Sequence, residues 1–298
     1  MTSQPAYYRD EQVTLLLGDA LDQMRTLPDS SVDCIVISPP YYKKRNYGAP
    51  GQYGQEPTLQ EYVATMTAVF REARRVLADD GTLWLNLGDS YSAGGQGGNR
   101  GGRLMGGAHR DLVPARTSTP GFAPKNLLMV PARVAMALQD DGWTLRNEIV
   151  WHKVNGVPEP VRDRLAGKHE KLYLLTPNRR YGFDLDAIRE PYVRPDDSRL
   201  TPQQVARGRN PGDVWSIPTG SYPGSHDAVF PIDLPLRCIR AGCEPGGTVL
   251  DPFSGSGTSG AAALQLGRKY VGIDLNPAYH DLARERFPQD VLELDLPA

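Results

Sequence analysis

The chain has 298 residues, 40% of them hydrophobic and 23% charged, with a formal net charge of −2. This length suits one large domain or two ordinary ones with a core that needs no covalent staples, and no apolar run approaches the ~20 residues that span a bilayer. Three cysteines, Cys34, Cys238 and Cys243, without C-x-x-C or His/Cys zinc spacing, argue against a disulfide framework and against a metal site.

The opening segment, Met1 to Glu11, is polar and contains Pro5, so a secretory leader is not expected and a cytoplasmic protein is. Val13–Leu17 and Cys34–Ile37 read as short apolar strands. Leu59 to Leu77 places Tyr62, Met66, Val69, Ala73 and Val76 on one helical stripe, with Thr58 as N-cap and Glu61 completing a capping box. A strand at Thr82–Leu87 follows. Ala93 to Gly107 holds eight glycines in fifteen residues, Arg100 and Arg103 among them, and reads as a loop that orders on binding if at all. Then come a helix at Pro131–Leu138 and strands at Glu148–Trp151 and Leu172–Thr176. Arg189 to Pro223, rich in Arg, Pro, Asp and Gln, reads as a surface insertion. The chain closes with a strand at Thr248–Leu250, a helix at Ser256–Leu266 ended by Gly267, and a strand at Tyr270–Ile273. Strands alternating with helices imply a mostly parallel sheet covered on both faces. Charge is unevenly spread: 92–210 carries 19 Lys+Arg against 12 Asp+Glu, and the remainder 14 against 23. A basic middle suits contact with a polyanion, and equally a solvated basic surface.

Two segments carry chemistry. In Asp251-Pro252-Phe253-Ser254-Gly255-Ser256-Gly257-Thr258 a strand ends, a glycine turn follows and a helix begins, which lets the backbone approach a ligand and aims free N–H groups at it. Gly255, Gly257 and Gly260 fit G-x-G-x-x-G, a weak pattern alone, but Asp274, nineteen residues after Gly255, is placed to accept both ribose hydroxyls. A tight turn with no ligand is the alternative. The second segment is Ser38-Pro39-Pro40-Tyr41, directly after a strand. Two prolines remove N–H donors and stiffen the chain, leaving carbonyls as fixed acceptors beside an aromatic ring, a receptor for a flat, amine-bearing group. A polyproline turn with a packing tyrosine is the alternative.

As a pair, these motifs resemble those of the DNA amino-methyltransferases, which methylate exocyclic amines of cytosine or adenine with S-adenosylmethionine. The resemblance covers nearly the whole chain. Gly18-Asp19-Ala20 looks like the family's acidic turn beside the cofactor adenine, and 81–87 like its central strand. Glu148 to Lys153 and His169 to Tyr173 look like the strands after it. His226 to Pro231 looks like the segment enclosing the cofactor methionine. The tetrapeptide precedes the glycine turn by more than two hundred residues, the circularly permuted order of the beta group. The resemblance implies one catalytic α/β domain over 1–298. Its fold is a Rossmann-like sheet of seven strands, six parallel and one antiparallel, with helices on both faces and the cofactor across the carboxyl ends of the strands. Target recognition then falls to insertions at 93–125 and 155–223.

On this resemblance, Ser38, Pro39, Pro40 and Tyr41 are catalytic. Asp19, Ala20, Phe230, Pro231, Asp251, Pro252, Phe253, Ser254, Gly255, Ser256, Gly257, Thr258, Asp274 and Leu275 hold the cofactor. Lys43, Lys44, Arg45, Arg100, Arg103, Arg207 and Arg209 meet DNA, and no metal is involved. Hydrogen bonds to the Ser38 hydroxyl and the Pro39 carbonyl draw the amine lone pair out of conjugation, and a base flipped from the duplex stacks on Tyr41. In the family, serine at the first place goes mostly with cytosine N4 and aspartate mostly with adenine N6. Serine can also donate to the ring nitrogen. Cytosine N4 in duplex DNA is the expected target, with adenine N6 as the alternative and a nicotinamide-dependent oxidoreductase as a more distant one. RNA or a protein amide amine also remains open as substrate. Carbon-5 methylation needs a cysteine nucleophile, and all three cysteines read as packing residues. Ser38 lacks the G-x-S-x-G elbow of a hydrolase nucleophile, and His152 and His169 read as structural. A nucleoid-associated protein, a restriction endonuclease sharing the site, and a homodimer are the remaining expectations.

Overall fold

The computed structural model describes residues 6–45, 51–92, 118–156, 158–220 and 230–292. Arg100 and Arg103, most of the expected 93–125 loop, and 226–229 lie outside them. In chain order the elements are β1 (Tyr8–Arg9), β2 (Val13–Leu17), α1 (Ala20–Met24), β3 (Val32–Ile37), α2 (Leu59–Val76), β4 (Leu77–Leu87), α3 (Val130–Asp140), β5 (Thr144–His152), β6 (His169–Thr176), a 3-10 turn (Asp186–Ile188), α4 (Pro202–Arg207), β7 (Val214–Ser216), α5 (Asp233–Gly242), β8 (Thr248–Asp251), α6 (Thr258–Gln265), β9 (Lys269–Asp274) and α7 (Pro277–Leu292).

Among the described residues, the nine strands form one sheet in the order β1-β2-β9-β8-β3-β4-β6-β5-β7. Without the two-residue β1 and three-residue β7 at its edges, the sheet has the seven strands expected. Strands β2, β9, β8, β3, β4 and β5 run one way, and β6 runs antiparallel to both its neighbours. The hydrophobic pattern explains why both faces are covered. Along β3, Ile35 and Ile37 join the core under α1, α2 and α3, while Cys34 and Val36 join the one under α5, α6 and α7, the two-residue alternation of a pleated strand. Each fully buried aliphatic chain contributes roughly 1.5–3 kcal/mol. Helix α2 buries Tyr62, Met66, Val69, Ala73 and Val76, and its Thr58–Glu61 capping box forms in both directions. Helix α6 ends at Gly267, whose φ of 68° is the left-handed stop.

One expectation needs correction. Residues 155–223 are not a single insertion, because β6 lies within them and is interior to the sheet, with Leu172, Leu174 and Leu175 buried between β4 and β5. The stretch Arg189 to Pro223, expected as a surface insertion, supplies α4 and the edge strand β7, which pairs with β5 through Val150–Val214 to His152–Ser216. Surface segments remain on either side of β6. Among the described residues, no helix is long and apolar enough to cross a membrane.

Candidate active site

The parallel strands end at one edge of the sheet, and antiparallel β6 starts there. The strand order reverses between β8 and β3, the switch point at which open α/β sheets leave a crevice. Into it project the segments after β3, β8, β9 and β2. Ser38 and Pro40 line the same cleft as Asp251 to Ser256, Thr258 and Asp274 to Asn276. The cleft holds about 990 Å³ of empty space, its open mouth included. Two motifs more than two hundred residues apart thus share one wall-to-wall space.

On the β8 side, backbone geometry and buried polar bonds set the turn. Gly255 has φ 51° and open space where a side chain would begin. Its N–H donates to Asp274 Oδ2 at 2.9 Å, while Asp274 Oδ1 accepts from Asn276 N at 2.8 Å, so the carboxylate at the end of β9 is oriented by two backbone donors. Gly257 serves another purpose. It does not line the cleft, and at φ 77° a Cβ there would lie 2.7 Å from Ala283 Cβ of α7. Asp251 is buried beneath the turn and accepts from Ser259 Oγ at 2.7 Å and Phe253 N at 3.0 Å. Burial pushes its carboxyl up to about 7, with Asp274 adding to the rise and those hydrogen bonds opposing it. Tyr270 donates to Ser254 Oγ at 2.9 Å, and Arg286 Nη1 of α7 donates to Thr258 Oγ1 at 3.2 Å. Ala20, Phe230 and Leu275 complete the expected lining.

Besides Gly257, two further expected cofactor residues are not among those lining the cleft. Asp19 is the N-cap of α1, accepting from Leu21 N at 2.9 Å and Asp22 N at 3.1 Å, and its other oxygen accepts from the Tyr53 hydroxyl at 2.7 Å. Pro231 leads into α5, its carbonyl accepting from Leu234 N. The sequence reading missed Gln52, Tyr53, Asn276 and Tyr279, which do line the cleft. Tyr53 meets Phe253 edge-to-face at 5.2 Å. For Gln52 and Tyr53 the signal was an aromatic-bearing loop just after the tetrapeptide.

On the β3 side, side chains do the positioning. Ser38 Oγ and Tyr41 Oη lie 3.2 Å apart. Tyr41 Oη also lies 3.0 Å from Asn86 Oδ1 on β4 and donates to Glu170 Oε2 on β6 at 2.8 Å. Glu170 is held by Lys153 at 2.5 Å. The Pro40 carbonyl is not an outward acceptor as expected, because it accepts from the Tyr62 hydroxyl at 3.0 Å. Neither Asn86 nor Glu170 was singled out from sequence. The signal was there in part, since Glu170 and Lys153 stand at the facing ends of two expected strands.

The expected nucleic-acid contacts divide. Lys43 and Arg45 lie two and four residues beyond the end of the tetrapeptide, and Lys44 lies within electrostatic reach of Glu170 and Lys153. Arg207 and Arg209 are instead engaged within the chain, with Asp186 at 3.0 Å and Glu190 at 2.6 Å. A guanidinium already beside a carboxylate offers little net charge to a phosphate. All three cysteines are buried, and burial pushes the Cys243 thiol up to about 12 and raises Cys34 and Cys238 as well, which suits packing and not nucleophilic attack. His152 and His169 face each other across β5 and β6.

The comparisons agree with this geometry. Residues 32–285 match the N6/N4 family model described as DNA methylase. The type II methyltransferase M.SmaI of Serratia marcescens is 44% identical over 91% of this chain and 89% of its own length, and M.XycI of Xanthomonas campestris pv. cyanopsidis is 46% identical over 92% and 87%. Among solved structures, PvuII DNA methyltransferase (cytosine-N4-specific) superposes with a TM-score of 0.68 at 17% identity, covering 98% of this chain and 95% of that one, a likeness of fold. TTHA0409 of Thermus thermophilus, complexed with S-adenosyl-L-methionine, gives 0.60 at 27% identity, covering 93% of each chain. The chain belongs to the N6/N4 DNA methylase family and is a beta-group DNA amino-methyltransferase of the restriction–modification type.

Proposed function

We propose that this chain transfers a methyl group from S-adenosylmethionine to the N4 amine of a cytosine flipped out of duplex DNA. The observation that carries the choice of base is Ser38. A hydroxyl, not a carboxylate, ends β3 at the cleft wall, and in the family that the tetrapeptide resembles serine goes mostly with cytosine. Ser38 Oγ accepts from the amine and can donate to the adjoining ring nitrogen, whereas ionised aspartate only accepts.

The residues present fit the cofactor. The open space above Gly255, the oriented Asp274 carboxylate and the apolar walls of Pro252, Phe253 and Ala20 form a cradle for a nucleoside. Asp274 holds the ribose, and the turn at Gly255 and Ser256 meets the amino-acid end. When bound, the cofactor supplies a methyl group already activated by a sulfonium. The chain's own residues then bind and orient. Ser38 and the Pro39 carbonyl engage the amine, and Tyr41 supplies a ring for the base. Such positioning and preset dipoles account for most of what a protein adds to this chemistry. Arginines and lysines on the surface segments hold phosphates, which makes binding strongly salt-dependent.

The test is to incubate the protein with S-adenosylmethionine and unmethylated plasmid DNA, digest the DNA to nucleosides and identify the modified one by mass. N4-methylcytosine is the expected product. N6-methyladenine would overturn the base assignment and leave the family intact.

A further inference from the structure

Methyl transfer to an amine leaves a proton to place. An –NH2 group that gains a methyl keeps one hydrogen and loses the other. From Ser38 the hydrogen bonds lead to one carboxylate. Ser38 Oγ lies 3.2 Å from Tyr41 Oη, and Tyr41 Oη donates to Glu170 Oε2 at 2.8 Å. The other Glu170 oxygen accepts from Lys153 Nζ at 2.5 Å. The Glu170 side chain retains 15% exposure, so this end of the chain of bonds reaches solvent. Asn86 stands beside the same two hydroxyls, but its Nδ2 donates to the Lys171 carbonyl at 3.1 Å, which fixes Oδ1 as an acceptor that takes up no proton. Gly88 gives the arrangement room, since a Cβ there would lie 2.5 Å from Tyr41 Cε2 and 3.3 Å from Glu170 Oε1.

We propose that Glu170 receives, by way of Ser38 and Tyr41, the proton that the target amine sheds. The inference rests on the methyl-transfer reading above. As the N–C bond forms, the pair of the breaking C–S bond stays on sulfur and the amine nitrogen becomes cationic. The Ser38 hydroxyl turns from the ring nitrogen to Tyr41 Oη, and the amine proton then passes to Ser38 Oγ, the Ser38 hydroxyl proton to Tyr41 Oη, and the Tyr41 hydroxyl proton to Glu170 Oε2. The methylated amine is then neutral, both hydroxyls are restored, and Glu170 is a neutral acid that returns its proton to solvent. Glu170 does not touch the amine. It is a positioning residue for Tyr41 and the end of the proton path, and Lys153 keeps it oriented.

Single-turnover transfer to unmethylated plasmid DNA tests this, with affinities for S-adenosylmethionine and for the DNA measured separately. The variants are Glu170→Gln, Glu170→Asp and Tyr41→Phe. Glutamine keeps one acceptor oxygen, enough for the Tyr41 hydroxyl, but loses the pairing with Lys153 and is not basic, so unchanged affinities together with partial rescue by Glu170→Asp separate loss of the base from loss of structure. Glu170→Gln and Tyr41→Phe are each expected to slow transfer ~10²-fold with both affinities within about threefold of the wild type. Glu170→Asp recovers part of the rate, and the double variant is no slower than the slower single one, because both break one path. A native rate in Glu170→Gln overturns the relay, and so does an additive loss in the double variant. The methyl-transfer reading fails differently. It fails through a wild type that methylates no base, which overturns both, whereas the relay fails through an active wild type matched by Glu170→Gln.

Discussion

The turn after β8 is held by backbone conformation and by a carboxylate buried beneath it, whereas the tetrapeptide after β3 is held by half-buried side chains from two other strands. On the first side, Gly255 and Gly257 adopt left-handed conformations and the Asp274 carboxylate is oriented by main-chain donors. On the second, Tyr41, Asn86, Glu170 and Lys153 form a network whose members come from four places in the chain. A backbone-built site is rigid before any ligand arrives, which suits a cofactor common to every turnover. A side-chain network can shift charge and protons, which suits the step at which bonds change.

Variants on the two sides therefore separate in what they lose. The largest effect is expected for Tyr41→Ala, which removes a stacking surface and the centre of the network. Turnover falls ~10²-fold or more, with affinity for S-adenosylmethionine unchanged by calorimetry. Asp274→Ala breaks the opposite side and is expected to weaken cofactor binding ~10-fold or more, the loss of a charge-assisted hydrogen bond, while affinity for DNA in a filter or anisotropy assay is retained. If Asp274→Ala instead left cofactor affinity intact and slowed transfer alone, the division of labour would be wrong.

Two alanine substitutions at glycine sharpen the same contrast. Gly257→Ala places a Cβ at φ 77° and 2.7 Å from Ala283, and the left-handed backbone alone costs about 1–2 kcal/mol. A lowered Tm is expected. Gly88→Ala meets only side chains, chiefly the Tyr41 ring, so Tm is expected to fall less and turnover more.

A further effect concerns pH. The Asp251 carboxyl is raised to about 7 by burial in the folded chain, against about 3.9 in an unfolded one. The folded state thus binds a proton that the unfolded state has lost. The contribution to stability is fully present below about pH 4 and is lost as pH rises through about 7. In the protein without cofactor, Tm is expected to fall between those limits more steeply in the wild type than in Asp251→Asn. Parallel curves would show that burial of this carboxyl does not set the slope.

Local features were legible in the sequence because their causes are local. Short apolar runs marked the seven principal strands, Thr58 and Glu61 marked the start of α2, and the two motifs fell on strand ends as expected. The misses depend on contacts that no periodicity reports. Tyr41 and Glu170 are 129 residues apart in sequence, and their meeting follows from β6 starting at the edge where β3 and β4 end. Arg207 and Arg209 looked like free cations because Asp186 and Glu190 are near them only after folding. Asp19 caps α1, a duty that calls for the same kind of residue at a strand's end as a cofactor turn does. Strand β7 went unseen because it has three residues and a polar neighbourhood, its place fixed by pairing with β5.

Ser38→Ala puts the division between the two sides to its most direct test. The substitution removes one hydroxyl from the cleft wall and leaves the glycine turn untouched. Calorimetry with S-adenosylmethionine and single-turnover transfer to DNA would be measured on one preparation. The account predicts cofactor affinity within about threefold of the wild type and transfer slowed ~10²-fold or more. Transfer at a near-native rate, or a loss of cofactor affinity matching the loss of transfer, would contradict it.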